Sequence, residues 1–345
     1  MIDRVKSEKF LRFFLLFTFL LSTQSCALNP SVTKSSQTFL KGTFIQLLSA
    51  HQGWTKEDWE GLFAYLRQLK VSYLIVQWSV FDKLEFFNDG NNQSRVDAPL
   101  NFILNEAEKA GMNVFVGLEL DPDYWNEIAR DTSFVKNYLA DMSHASKELA
   151  DRLAPLVKKY DSFQGWYITQ EIDDSNWRTF ESQQILFDHL NDLGAHLHKL
   201  FPDKRVALSG FCNAEMTPGV FELFWDSLLK ATPIDIVLFQ DGIGADKLTF
   251  AQLPEYLASL HRATQINSRQ LQVVVELFKQ VTGNDTLSTQ FAAEAAELER
   301  VQKQIMIDAA YGSDLVAFSI PEYMTPLGGP QAEKLFKEYL KIRHP

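Results

Sequence analysis

The sequence predicts a (β/α)8 TIM barrel in a single domain. Three observations carry this expectation. Eight short β-branched or aromatic runs recur between residues 42 and 342, each is followed by a longer amphipathic segment, and most of the runs are apolar on both faces. Parallel strands covered by helices require that last property.

The elements follow in order. The chain of 345 residues opens with Arg4, Lys6, Lys9 and Arg12, then the apolar run from Phe13 to Leu21. As a helix that run rises only about 14 Å, short of the roughly 30 Å of a bilayer core, so it reads as an export signal. The small residues Ser22 to Ser25 before Cys26 resemble a bacterial lipoprotein cleavage site, with Thr23 where that motif usually has Leu. Residues 1–26 are therefore expected to be a signal peptide ending at a lipidated Cys26. The plainer alternatives are a signal cut near Ser25 or a short anchor. Residues 27–40 read as a polar tether and 41–345 as the barrel. One acyl-type anchor places such a protein on a membrane surface, exported to the bacterial cell envelope.

Strands are expected at Thr43–Leu47, Tyr73–Trp78, Asn113–Leu118, Gly165–Gln170, Arg205–Ser209, Ile234–Gln240, Gln272–Glu276 and Leu315–Ile320. The first helix is expected at Lys56–Lys70, where Thr55 and Asp58 form a capping-box variant and Trp59, Leu62, Phe63, Leu66 and Leu69 fall at helical spacing. Pro99–Ala110 stops at Gly111. Ser133–Tyr160 is long, and Pro155 is expected to bend or break it. Asn176–Phe201, Pro218–Lys230, Pro254–Ile266, Ser288–Tyr311 and Pro330–Ile342 complete the set. A doubly wound open sheet is the competing fold, but no G-x-G-x-x-G follows the first strand, and Gly242-Ile243-Gly244 lacks the third glycine.

Composition narrows the chemistry. Asp and Glu number 44 against 33 Lys and Arg, a formal net charge of −11. An acidic chain without a basic block does not grip nucleic acid. Two cysteines, Cys26 and Cys212, exclude a disulfide framework and a Cys-rich metal site. No metal or organic cofactor is expected, and the protein is expected to be a monomer. The seven histidines all lie away from the strand ends, and His196 and His198 sit i, i+2 on a helix, where they point apart.

In such barrels the chemistry sits at the carboxyl ends of the strands. Those ends carry acids, amides and aromatics: Gln46, Gln77-Trp78, Glu119, Gln170-Glu171 with Asp173, Asp241, Glu276, and Glu322-Tyr323. Glu171 and Glu276 end strongly apolar runs on strands four and seven, roughly opposite each other. Two facing carboxyls are the minimum equipment of a glycosidase: one gives a proton to the leaving oxygen, the other attacks the anomeric carbon. Burial and neighbouring charge split their pKa values. Flat rings and hydroxyl-binding groups complete a sugar site, and Trp78, Trp177 and Tyr323 are candidates for stacking. Gln46, Gln77, Glu119, Gln170, Asp173 and Asp241 are candidates for polar contacts. Most phenylalanines, Phe63, Phe221, Phe224 and Phe291 among them, are expected in the core.

The stretches Gly42 to Gln46, Gln77-Trp78, Gly165 to Asp173, Phe239 to Gly244 and Val274 to Glu276 resemble an uncharacterised bacterial family, a domain of unknown function grouped with TIM-barrel glycosidases. Acids at the ends of strands four and seven also resemble the retaining (β/α)8 glycoside hydrolase clan. That resemblance implies Glu171 as acid/base and Glu276 as nucleophile. The clan usually places Asn before the acid/base, on the sugar 2-hydroxyl; here Gln170 stands there. The expected function is an exported glycoside hydrolase acting on a poly- or oligosaccharide. The alternative is a non-catalytic carbohydrate-binding lipoprotein on the same scaffold.

Overall fold

The computed structural model describes residues 38–90, 98–281 and 292–344. The export signal, Cys26 and the tether up to residue 37 lie outside the described residues, as do Phe291 and the start of the seventh expected helix. Eight parallel strands close into a barrel: β1 Gly42–Ile45, β2 Tyr73–Val76, β3 Asn113–Gly117, β4 Phe163–Ile172, β5 Arg205–Gly210, β6 Ile236–Gln240, β7 Gln270–Glu276 and β8 Asp314–Phe318. Each pairs with its sequence neighbours, and β8 returns to β1 through Gly42 opposite Val316. This is the (β/α)8 TIM barrel that the alternating runs predicted.

Ten helices are present among the described residues: α1 Lys56–Gln68, α2 Pro99–Ala110, α3 Tyr124–Ile128, α4 Thr132–Val157, α5 Phe180–Leu200, α6 Pro218–Ala231, α7 Leu253–Ile266, α8 Leu298–Asp308, α9 Ile320–Tyr323 and α10 Pro330–Arg343. The start of α1 is set by the Thr55 box, in which the Thr55 N–H donates to Asp58 Oδ2 at 2.8 Å. Gly111 ends α2 at φ 64°, a left-handed turn that glycine enters without a Cβ clash. Pro155 does not break α4. It falls in the last turn, where its missing N–H costs one ladder bond, and the helix ends two residues later.

Two apolar layers result. Phe44, Tyr73, Ile75, Phe115, Tyr167, Ala207, Ile236, Leu238, Val274 and Val316 fill the barrel interior. A larger layer lies between strands and helices and takes Phe63, Trp166, Phe221, Trp225 and Tyr339. Each such phenylalanine contributes about 1.5–3 kcal/mol relative to exposure. No described helix is long and apolar enough to cross a membrane. Short strands also appear where none was expected. Val80–Phe81 pairs with Leu84–Glu85 and with Glu119–Leu120, and Phe278–Gln280 pairs with Ala293–Ala295. They extend the loops after β2, β3 and β7 and build up the wall of the mouth.

Candidate active site

Strand alternation decides which side chains reach the mouth. The interior residues Phe44, Ile75, Tyr167, Leu238, Val274 and Val316 fix the inward parity of their strands. Two or four positions onward lie Gln46, Gln77, Thr169, Glu171, Gln240, Glu276 and Phe318. All of them line one recess of about 850 Å3 at the carboxyl ends of the strands. Trp78, Trp125, Asp173, Phe211, Asn213, Lys247, Phe278 and Tyr323 complete most of its wall.

Glu171 and Glu276 therefore share one cavity. Gln240 Nε2 donates to Glu171 Oε1 at 2.9 Å, and Gln240 is the register partner of Val274, two residues before Glu276. The Glu276 carboxylate accepts the Ala245 N–H at 2.8 Å. That bond needs Gly244. A Cβ there would stand 2.3 Å from the Phe278 carbonyl and 3.0 Å from Glu276 Oε2, so only glycine lets the loop after β6 close over the carboxylate. Arg300 on α8 donates to the carbonyls of Glu276 (3.0 Å) and Phe278 (2.6 Å), fixing the end of β7.

Burial dominates the electrostatics. It raises the Glu171 carboxyl to about 7, against the donor bond from Gln240 and the charge of Lys247. It raises Glu276 to about 8, assisted by the charge of Asp241 and opposed by the Ala245 and Gly244 N–H groups. Both acids can then hold a proton near neutral pH, which an ordinary exposed glutamate does not. Burial also raises Asp173, whose two oxygens accept the backbone and side-chain amides of Asn176. Glu119 is raised too, by burial and by Asp121.

Four residues expected at the site do not line the recess. Gln170 has the opposite parity to Glu171. Its amide donates to the Glu119 carbonyl at 3.2 Å and to Thr169 Oγ1 at 3.1 Å, away from the cavity. Asp241 likewise turns outward from Gln240 and packs against α8, where Gln304 Nε2 donates to it at 2.5 Å. The Trp177 ring is 1% exposed and belongs to the core, so it offers no face for stacking. Glu119 pairs with Val80 in the small sheet beside the mouth. Gln46, Gln77, Trp78, Asp173 and Tyr323 do reach the cavity. Trp78 borders it as a buried ring, 4% exposed, stacked on Phe81 at 4.7 Å with its N–H donated to the Leu47 carbonyl.

Sequence reading noted Gln240, Asn213 and Trp125 near strand ends but did not select them, or Thr169 and Lys247, as site residues. Counting by two from the apolar centres of β4 and β6 selects Thr169 and Gln240. Lys247, Asn213 and Trp125 come from irregular loops, where no period operates. Trp125 is 37% exposed and packs on Phe211 at 5.4 Å, the more accessible of the two tryptophan rings on the recess. Among the described residues no group of three His, Cys, Asp or Glu converges to hold a metal ion.

A closed parallel barrel that brings two glutamates, Glu276 buried and Glu171 half-buried, into an amide- and aromatic-lined recess has a glycoside hydrolase-like fold. Residues 40–334 match the family described as a domain of unknown function, DUF4434, and the chain belongs to that family. It is 30% identical over 224 residues to the uncharacterised protein YbcH of Escherichia coli (strain K12), covering 63% of this chain and 70% of that one. A candidate alpha-L-fucosidase of Bacteroides thetaiotaomicron superposes with a TM-score of 0.71 at 18% identity, over 95% of this chain and 98% of that one. A GH18 chitinase from Pseudoalteromonas aurantia superposes with a TM-score of 0.51 at 12% identity, over 88% and 97%. At these identities the shared feature is the barrel.

Proposed function

We propose that this protein is an exported glycoside hydrolase that cleaves a poly- or oligosaccharide with Glu171 as acid/base and Glu276 as nucleophile. One observation carries the reading. Glutamates from β4 and β7 enter the same recess, and each has one oxygen held by a protein donor. Glu276 attacks the anomeric carbon as the glycosidic C–O bond breaks, and Glu171 passes its proton to the leaving oxygen. Glu171, now ionised, takes a proton from water. That water attacks the same carbon and frees Glu276 as a carboxylate. Positive charge developing on the sugar offsets the burial that raises Glu276, so the nucleophile ionises most readily with substrate in place.

The charged groups on the wall are Glu171, Asp173, Glu215 and Glu276 against Lys247. That excess of carboxyls favours an uncharged glycan over a uronate. Gln46, Gln77, Gln240 and Asn213 offer amides to hydroxyls, and Trp125 offers a ring face. Export and lipid anchoring at Cys26 belong to the same proposal. They rest on the basic, apolar and small-residue pattern of residues 1–26, and they put the substrate in the cell envelope.

The test is turnover on a panel of neutral glycans, with product anomers followed by NMR. Glu171→Gln and Glu276→Gln are each expected to lower kcat by about 10²–10⁴-fold, with the anomeric configuration retained in the wild type. Activity surviving both changes would sink the assignment. Glycan binding that is untouched by Glu276→Gln and never followed by release would favour the non-catalytic lipoprotein.

A further inference from the structure

We propose that Lys247 is a positioning residue of this site, a clamped ammonium that sets the protonation of Glu171 and Glu276. The functional meaning rests on the hydrolase reading; the electrostatic claim does not. Lys247 lies in the loop after β6, half-buried in the wall of the recess. Its Nζ donates to Asn213 Oδ1 at 2.7 Å and stands 3.8 Å from the centre of the Phe211 ring. Asn213 is itself held. Its N–H donates to Asp174 Oδ1 at 2.6 Å and its amide to Ser175 Oγ at 3.0 Å.

Asp174 is fully buried and organises the whole loop after β5. Besides Asn213 it accepts the N–H groups of Glu215 (2.7 Å) and Met216 (2.9 Å) and the Cys212 thiol (3.2 Å). A chain of contacts thus runs from a buried carboxylate through Asn213 to the ammonium. Lysine is a flexible, strongly hydrated cation, and holding it in one place away from water opposes its charge. Burial does lower its pKa, against the support of Glu276, Asp173, Glu171 and Asp174. A clamp of this kind is useful where the cation's field acts at a distance on groups it does not touch.

Two cations act on the pair, Lys247 in the wall of the recess and Arg300 behind Glu276 on α8. Glu171 meets the Gln240 amide and has Tyr167 beneath it, and the charge that opposes its burial is Lys247. Glu276 faces the Gly244 and Ala245 N–H groups, the Asp241 carboxyl with Asp308 behind it, and Arg300, whose charge favours the ionised Glu276 while its donors go to backbone carbonyls. Lys247 is thus the one cation among the described residues that lines the recess together with the pair. Removing its charge raises both carboxyls and shifts the singly protonated window to higher pH.

The experiment is an isotope-edited infrared titration of the glutamate carboxyl bands in the full, ligand-free chain, with Glu171→Gln and Glu276→Gln to assign them. In Lys247→Met the Glu171 midpoint is expected to rise by on the order of one pH unit, a tenfold change in proton affinity. Lys247→Arg keeps the wild-type midpoint, and Asn213→Ala, which frees the ammonium, moves it part of the way. On any glycan that is turned over, the kcat/KM profile of Lys247→Met shifts upward by the same interval. A folded Lys247→Met with unmoved midpoints overturns the proposal. If that variant does not fold, unmoved midpoints in Asn213→Ala overturn it instead. Midpoints that rise while no glycan is cleaved uphold the role of Lys247 and remove the hydrolase reading alone.

Discussion

Glu171 and Glu276 differ in what surrounds them, and their pH behaviour follows from it. The acid must hold its proton, so rate falls as pH rises through the acid's pKa. The nucleophile must be ionised, so rate falls as pH drops through its own. With the pair raised to about 7 and about 8, kcat/KM is expected to trace a bell with its maximum between those values. The two limbs belong to the pair rather than to either residue. A maximum near pH 5, where ordinary carboxyls titrate, would mean that the recess does not desolvate them. Gly244→Ala is the sharpest local test. The added methyl collides with the Phe278 carbonyl and crowds Glu276, so the Ala245 N–H is lost. Displacement of Glu276, the proposed nucleophile, is expected to lower kcat by about 10²-fold, with a lower melting temperature from the clash. At this scale the glutamates were legible, because each ends an apolar run. Gln170 and Asp241 were misplaced because the strand end was read as a cluster, when adjacent residues on a strand face opposite ways.

Helix α8 shows what an element adds. Arg300, Gln304 and Asp308 recur every four residues, so they share one face, and that face turns toward β7. Gln304 bridges Asp241 and the Glu276 carbonyl. Asp308, buried behind them, accepts no hydrogen bond among the described residues. Burial and the charge of Asp241 raise it well above its ordinary value, which favours the neutral acid in the fold. Its pKa is higher folded than unfolded. The stability it contributes is therefore present below the usual aspartate range and is lost as pH rises through that range toward the folded value. Asp308→Asn keeps a donor and removes the titration. It is expected to raise Tm at pH 8 by at least about 2 °C and to leave Tm near pH 4 unchanged. A lower Tm at pH 8 would mean that the proton is not where the burial puts it. The spacing of these three residues stands in the sequence, but nothing there says that a polar helix face turns inward. The two- and three-residue strands around the mouth are likewise too short for a period to show.

At the scale of the molecule the barrel was the most legible feature. Eight runs apolar on both faces leave few architectures, since a sheet with helices on one side only would show alternation. The loops were the least legible. Their geometry comes from single side chains such as Asp174 and from close approaches such as Gly244, and neither announces itself by period or composition. The ten residues inside the barrel also close the recess from below. The recess opens at the carboxyl ends of the strands. In the proposed two-step displacement the departing fragment leaves, and water enters, at that same mouth. An added alcohol then competes with water for the glycosyl-enzyme. In molar methanol the wild type is expected to divert part of its product to a methyl glycoside of retained configuration, visible by NMR. A floor without an exit would in this way let competition at the mouth, rather than any extra catalytic group, decide how much sugar is hydrolysed and how much is passed on.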